Sequence, residues 1–287
     1  MDLENNSGNK PKGVLNFEEI GKIIAVIKDD GDDKKKSIAK SIAKSKFKSN
    51  PGRNLYVADN KTATNEGVRH PEYEIELSNN QHFQIAINKE TERQIGYICG
   101  GSGGGKSYFC KKYIEEYHRT YPSRPIYVLS ALTEDPTLDS LKCIERIKLT
   151  PEFLDDDLTA KDFENALLLL DDTDTISNRK MRLKVNQLRD DILSTGRHFN
   201  TSILVTTHTP ANGFETKLIL NEAHFVSICP AALGGRAKSY LLETYLGLDK
   251  KQIRKLKNID SRVITFIKGH PQVVLAERTA YILTDEE

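Results

Sequence analysis

Tyr97 to Phe109 reads YICGGSGGGKSYF, five glycines followed at once by a lysine and a serine. Gly100, Gly105, Lys106 and Ser107 match the spacing G-x-x-x-x-G-K-[ST], a loop whose backbone N–H groups wrap phosphates while the lysine meets the outer ones. Such a loop needs an apolar strand before it and a helix after it, because the helix N-terminus adds partial positive charge to the phosphate site. Both are legible. Gln94 to Cys99 supplies Ile95, Tyr97 and Ile98 as the strand, and Tyr108, Phe109, Tyr113 and Tyr117 run along the helix. A glycine-rich linker would lack Lys106-Ser107 at this offset and would have polar flanks. The phosphate cradle is therefore expected at Gly100, Gly101, Ser102, Gly103, Gly104, Gly105, Lys106 and Ser107.

Four further apolar runs follow: PIYVLSAL (Pro125 to Leu132), ALLLLDD (Ala166 to Asp172), TSILVTTH (Thr201 to His208) and AHFVSICP (Ala223 to Pro230). Separated by helical spans, they predict an α/β fold with a mostly parallel, buried sheet flanked by helices. RVITFIKG with VVLAERTAYIL reads as a terminal strand pair. Ahead of the loop, EYEIELSNNQHFQIAINK alternates apolar and polar residues on both sides of Asn79-Asn80, which predicts a hairpin.

Phosphoryl transfer asks the protein for phosphate positioning, a metal ion and an oriented water. The Ser107 hydroxyl is placed to ligate Mg²⁺, and ALLLLDD ends in two carboxylates at a strand edge, a Walker B pattern. Asp171 is expected to hold the metal-bound water and Asp172 to polarise the attacking water. The competing reading is that Asp172 or Asp174 caps the next helix. Arg197 precedes the fourth strand, where it would serve either as a finger reaching a neighbouring subunit's γ-phosphate, a role contributing ~10³–10⁵ in rate, or as a salt-bridge partner of Asp190 or Asp191. The polar Thr206, Thr207 and His208 close the same strand, and Thr207 or His208 is expected in the place of a polar sensor between the carboxylates and the γ-phosphate.

GGSGGGKS, LLLLDD and GRHFNTSILVTTH followed by NEAHFVSICP, in this order and spacing, resemble the FtsK/HerA-like genome-packaging ATPases of poxviruses and other nucleocytoplasmic large DNA viruses. The similarity spans roughly Glu72 to Pro230, and GRH before an apolar strand is its most specific part. The resemblance implies a P-loop NTPase of the additional-strand, RecA/FtsK-HerA-like type. It implies ATP and Mg²⁺ as cofactors, a homo-oligomeric ring, and double-stranded DNA driven into a preformed capsid. Capsid or other virion-assembly proteins would be partners, and the host cytoplasm at the viral assembly site, or the virion, the location. One departure is His208, where the family often has glutamine. Competing readings are a cellular or plasmid DNA-translocating ATPase of the same group, a nucleotide or small-molecule kinase, and an assembly protein that binds ATP without turnover; the intact Lys106, Ser107, Asp171 and Asp172 argue against the last.

The 287 residues carry 42 basic and 41 acidic side chains, a net charge of +1, so any nucleic-acid signal must be local. Lys34 to Arg53 is one such place, with eight basic residues and no acidic one, and its repeated SIAK sets Ile38 and Ile42 on one helical face. It reads equally as a DNA- or acidic-partner-binding helix and as a solvated helix packed by its isoleucines. The segment carrying Lys250, Lys251, Arg254, Lys255 and Lys257 is the second. Residues 1–70 are expected to form an N-terminal extension with a disordered arm, and residues 71–287 the ATPase domain. Cys99, Cys110, Cys143 and Cys229 form no C-x-x-C pair, and three of them lie in apolar stretches where reduced thiols sit as small core residues, which points to a reducing compartment. No apolar run approaches a membrane span, and the N-terminus has no apolar signal core.

Overall fold

A computed structural model describes residues 11–29, 52–78, 80–89 and 93–283. The basic run from Lys34 to Lys48 and the N-terminal ten residues lie outside the described residues. The strands in chain order are β1 (Gly13–Asn16), β2 (Lys22–Asp29), β3 (Asn54–Asp59), β4 (Glu74–Glu76), β5 (Gln81–Ile85), β6 (Ile95–Cys99), β7 (Ile126–Ser130), β8 (Glu145–Ile147), β9 (Leu167–Asp171), β10 (Ser202–Thr207), β11 (Phe225–Ile228), β12 (Ile264–Ile267), β13 (Val273–Leu275) and β14 (Thr279–Ile282). The helices are α1 (Asn60–Glu66), α2 (Lys106–Thr120), α3 (Arg179–Thr195), α4 (Phe214–Glu222), α5 (Gly235–Tyr240) and α6 (Lys250–Lys257). No helix among the described residues is long and apolar enough to cross a membrane.

The chain forms two compact units, one from the described residues up to Ala86 together with those from Ile267 onward, the other Ile87–Phe266. The expected boundary at residues 70 and 71 falls inside the first unit. That unit holds an antiparallel sheet in the order β1-β3-β2-β5 and an antiparallel set β4-β14-β13. The hairpin expected around Asn79-Asn80 does not form. β4 pairs with β14 and β5 with β2, so the chain changes sheets between them. The alternation of apolar and polar residues is real, but it records two half-buried strands with different partners: Leu77 N–H donates to the Arg278 carbonyl and Phe83 N–H to that of Glu277. The terminal strand pair is three strands, because Val273 to Ile282 folds back on itself as β13 and β14.

The second unit carries the parallel sheet, in the order β12-β11-β6-β10-β9-β7-β8, with every pair from β11 to β8 parallel. Every residue of β6, β9, β10 and β11 is buried, so both faces of these strands are covered, and their continuous apolar runs follow from that. The strand before the glycine loop, β6, and the strand ending in the aspartates, β9, are not neighbours; β10 lies between them. Parallel strands point their C-terminal ends the same way, which gathers the glycine loop, Asp171 and Thr207 at one edge, where open α/β sheets bind ligands.

Gly96 makes the centre of this sheet close-packed. It stands in register with Leu204 and Phe225, and a Cβ there would overlap the tip of the Phe225 ring and come 2.6 Å from Leu204 Cδ2. The ring cannot easily give way, since Tyr113 and Phe109 of α2 pack on it at centroid distances of 5.8 and 6.3 Å. Gly96→Ala is expected to lower stability by ~1–3 kcal/mol through overpacking, read as a lower midpoint in denaturant unfolding with an unchanged slope.

Candidate active site

The glycines at the end of β6 divide into two sets. Gly100, Gly101 and Gly104 are pressed against the segment after β11: a Cβ on Gly100 would stand 2.6 Å from Cys229 Cβ, one on Gly101 2.7 Å from the Ala232 carbonyl oxygen. Gly101 N–H donates to that carbonyl at 2.9 Å, and Gly100 N–H donates to the Thr207 carbonyl at 3.1 Å. Gly103 and Gly105 are different. Both adopt left-handed backbone, with φ of 72° and 106°, and a Cβ on either would meet nothing within 4 Å. The loop is therefore fixed along its back and open along its front, as close approach of a ligand to the backbone requires.

α2 begins at Lys106, a residue only 5% exposed. Its ammonium donates to the Gly100 carbonyl at 2.9 Å and stands 3.3 Å from Asp172 Oδ1. Ser107 is half-buried in the first turn of the same helix. Asp171 ends β9 with both carboxylate oxygens engaged: Ser130 Oγ donates to Oδ2 at 2.9 Å, and Thr206 Oγ1 lies 3.0 Å from Oδ1. Burial, and then the neighbouring Asp172 charge, raises the Asp171 pKa above the ordinary carboxylate value. Asp172 leaves the strand in the left-handed region, φ 47° and ψ 37°, a conformation Asp tolerates better than most residues. Its N–H donates to Thr206 Oγ1 at 2.8 Å, and its Oδ1 lies 3.0 Å from the same hydroxyl. Thr206 is fully buried and has one proton for two carboxylates, so it donates to one of them at a time while accepting the Asp172 N–H.

His208 faces this group from the end of β10. Its Nε2 is 3.6 Å from Asp172 Oδ2 and its Nδ1 3.7 Å from Asp174 Oδ1, while its backbone N–H donates to Asp174 Oδ2 at 3.0 Å. Asp172, Asp174 and His208 bring one donor atom each within 4.8 Å of one another, a nitrogen-and-carboxylate set of the kind that divalent ions use. Thr207 points elsewhere: its hydroxyl bonds with the Tyr97 hydroxyl at 2.8 Å and donates to the Thr209 carbonyl at 3.0 Å. The structure thus brings Lys106, Asp171, Asp172 and His208 together and leaves Thr207 on another side. Ser130, which the sequence reading did not name, and Thr206, which it named only as closing the strand, hold the carboxylates. For Thr206 the only available signal was its odd-even position in β10, since adjacent strand residues face opposite ways.

Arg197 is exposed in the turn after α3, ahead of β10. Thr207 is at the other end of that strand, five residues or roughly 17 Å beyond Ser202, so Arg197 stands at the opposite edge of the sheet from the glycine loop. The two aspartates weighed as its partners are engaged by others: Arg189 pairs with Asp190 at 2.8 Å, and Asp191 accepts from the Ala160 N–H at 2.7 Å and lies 3.1 Å from Thr195 Oγ1.

The strand order, with an additional strand between the loop strand and the aspartate strand, together with the loop itself, defines the P-loop NTPase fold. Over 194 residues the chain is 42% identical to the uncharacterized protein V3 of the Sputnik virophage, an alignment covering 67% of this chain and 78% of that protein. The chain belongs to the same family as V3. No protein-family model matches it. Among solved structures it is similar to the cytoplasmic domain of the type VII secretion ATPase EccC of Thermomonospora curvata (13% identity, TM-score 0.45, 68% of this chain) and spans 26% of that chain's length. It is also similar to the genome-packaging NTPase B204 of Sulfolobus turreted icosahedral virus 2, solved in complex with ATP-gammaS (13% identity, TM-score 0.41, 68% of this chain and 98% of that one). At these scores the two likenesses add nothing to what the strand order already establishes.

Proposed function

We propose that this protein is an ATP-hydrolysing motor that moves double-stranded DNA, and that it works as a homo-oligomeric ring loading a viral genome into a preformed capsid. The observation that carries the hydrolytic part is the meeting of Lys106 with the Asp171–Asp172 pair at the open front of the glycine loop. The DNA and capsid parts rest on the motif resemblance, above all on GRH before β10.

The residues present fit a magnesium nucleotide. Of the two adjacent carboxylates Lys106 pairs with Asp172, while Asp171 has only hydroxyl groups, Ser130 and Thr206, on its oxygens and burial already makes its charge costly, so the site has room electrostatically for a divalent cation. Ser107 and Asp171 would hold Mg²⁺, which when bound neutralises charge building on the transferred phosphoryl group. Backbone N–H groups of Gly103, Gly105 and Lys106 and the start of α2 would take the phosphates, and Lys106 would turn from Asp172 to the outer ones. Asp172, aimed by Thr206 and facing His208, would accept the proton of the attacking water.

Arg197 would act on the neighbouring subunit's nucleotide, since it lies across the sheet from its own loop. Rings mixed from Arg197→Ala and Lys106→Ala subunits are then expected to recover part of the activity that each pure ring lacks, because some interfaces pair an intact loop with an intact arginine. No recovery in rings of verified mixed composition would assign Arg197 a local structural role. The function as a whole is tested by measuring ATP hydrolysis with and without long duplex DNA on a sample of known oligomeric state. Stimulation in the ring supports it, and duplex-independent turnover by a monomer overturns it.

A further inference from the structure

The connection between β11 and β12 starts on the glycine loop and ends in a basic helix. Its first residues are the ones that back the loop, Cys229 and Ala232, and Lys238 Nζ ties α5 to them by donating to the Pro230 carbonyl at 3.2 Å. Leu241, Leu242, Leu246 and Leu248 are buried, so the connection is anchored in the core of its unit along the way. α6 then begins at a complete capping box: Asp249 accepts the N–H groups of Lys251 and Gln252 at 2.6 and 2.8 Å, and Gln252 Oε1 accepts the Asp249 N–H at 2.8 Å. Leu256 is buried beneath it. Lys250, Lys251, Arg254, Lys255 and Lys257 are all exposed, and the helix contains no acidic residue.

Its position is held by the cap and by Leu256, and it presents five like charges on eight residues. Such a face is built for a polyanion. Lys250, Arg254 and Lys257 fall at i, i+4 and i+7, one stripe roughly 10 Å long, against a duplex strand that carries a phosphate about every 3.4 Å of axis. From this we propose that α6 is a surface that grips the phosphate backbone of duplex DNA, without reading sequence, at the far end of the segment that backs the glycine loop. The proposal rests on the function proposed above and names where the duplex is held.

The test uses the full chain and a fluorescently labelled duplex of random sequence, with affinity followed across salt concentration. Lys250→Gln, Arg254→Gln and Lys257→Gln together should reduce the steepness of the salt dependence by up to about 2.7, at roughly 0.9 per phosphate contact. They should leave duplex-free ATP hydrolysis unchanged. A control triple variant at the exposed Lys142, Lys148 and Lys161 carries the same charge loss elsewhere and should keep the wild-type slope. Equal slopes for the two triple variants would overturn the assignment while leaving the motor function standing. A wild-type protein that hydrolyses ATP but binds no duplex would remove the function on which it rests. Unchanged duplex binding with weakened binding to polyglutamate would give the face to an acidic protein partner, which also overturns it.

Discussion

Lys106→Ala is expected to abolish ATP hydrolysis, a loss of at least ~10²–10³ in turnover by comparison with removal of one transition-state donor elsewhere, while the protein keeps its circular-dichroism spectrum. The side chain is almost wholly buried and makes two contacts, to the Gly100 carbonyl and to Asp172. Neither belongs to the hydrophobic core. Removing the ammonium leaves Asp172 with the Thr206 hydroxyl beside it and His208 facing it, so its charge keeps neighbours that stabilise it. What cannot be replaced is a positive charge at the mouth of the loop, where the outer phosphates would lie. Lys106→Arg sharpens the test, because a planar guanidinium keeps the charge and loses the compact point contact. It should be nearly as inactive as the alanine variant. Turnover at the wild-type level in Lys106→Ala would mean that the glycine loop is not the site of hydrolysis.

How far the sequence disclosed this arrangement depends on whether the signal was local. The loop and its strand are local, and the expected Gln94 to Cys99 differs from β6 by one residue. The other four core strands were legible for the same reason, since a buried parallel strand writes itself as an uninterrupted apolar run. Strand order is not local. Nothing in LLLLDD says that β10, rather than β6, pairs with it, and only that order sets Thr206 against both aspartates. The exchange of Thr206 for Thr207 has the same origin: the pleat sends the two adjacent threonines to opposite sides, and which side carries the aspartates and which carries Tyr97 is set by the neighbouring strands. The false hairpin around Asn80 shows the limit most plainly. Its alternation was read correctly, but β4 and β5 take their partners from β14 and β2, more than fifty residues away in either direction.

The two aspartates are expected to separate by function. Asp172→Asn should bind ATP with close to wild-type affinity and lose turnover by ~10²–10⁴, the range for a general base, whereas Asp171→Asn should weaken nucleotide binding only when Mg²⁺ is present. The geometry supports the first substitution as a clean one. Position 172 is in the left-handed region, which asparagine tolerates as aspartate does, so the backbone has no reason to move. The amide oxygen can still accept from Lys106 and Thr206, and only the oxygen facing His208 is replaced by a donor. Asp171 sits deeper, with Ser130 and Thr206 on its two oxygens, and an amide there disturbs the carboxylate that would hold the metal-bound water. Fluorescent-nucleotide binding with and without Mg²⁺, set beside hydrolysis at saturating ATP, measures both effects on the same samples. Normal hydrolysis by Asp172→Asn would move the proton acceptor elsewhere. Asp174 is then the carboxylate to test, because its Oδ1 is buried, has no hydrogen-bond partner among the described residues and lies 3.7 Å from His208 Nδ1. In that case Asp174→Asn, silent on nucleotide binding, should take the turnover that Asp172→Asn left intact.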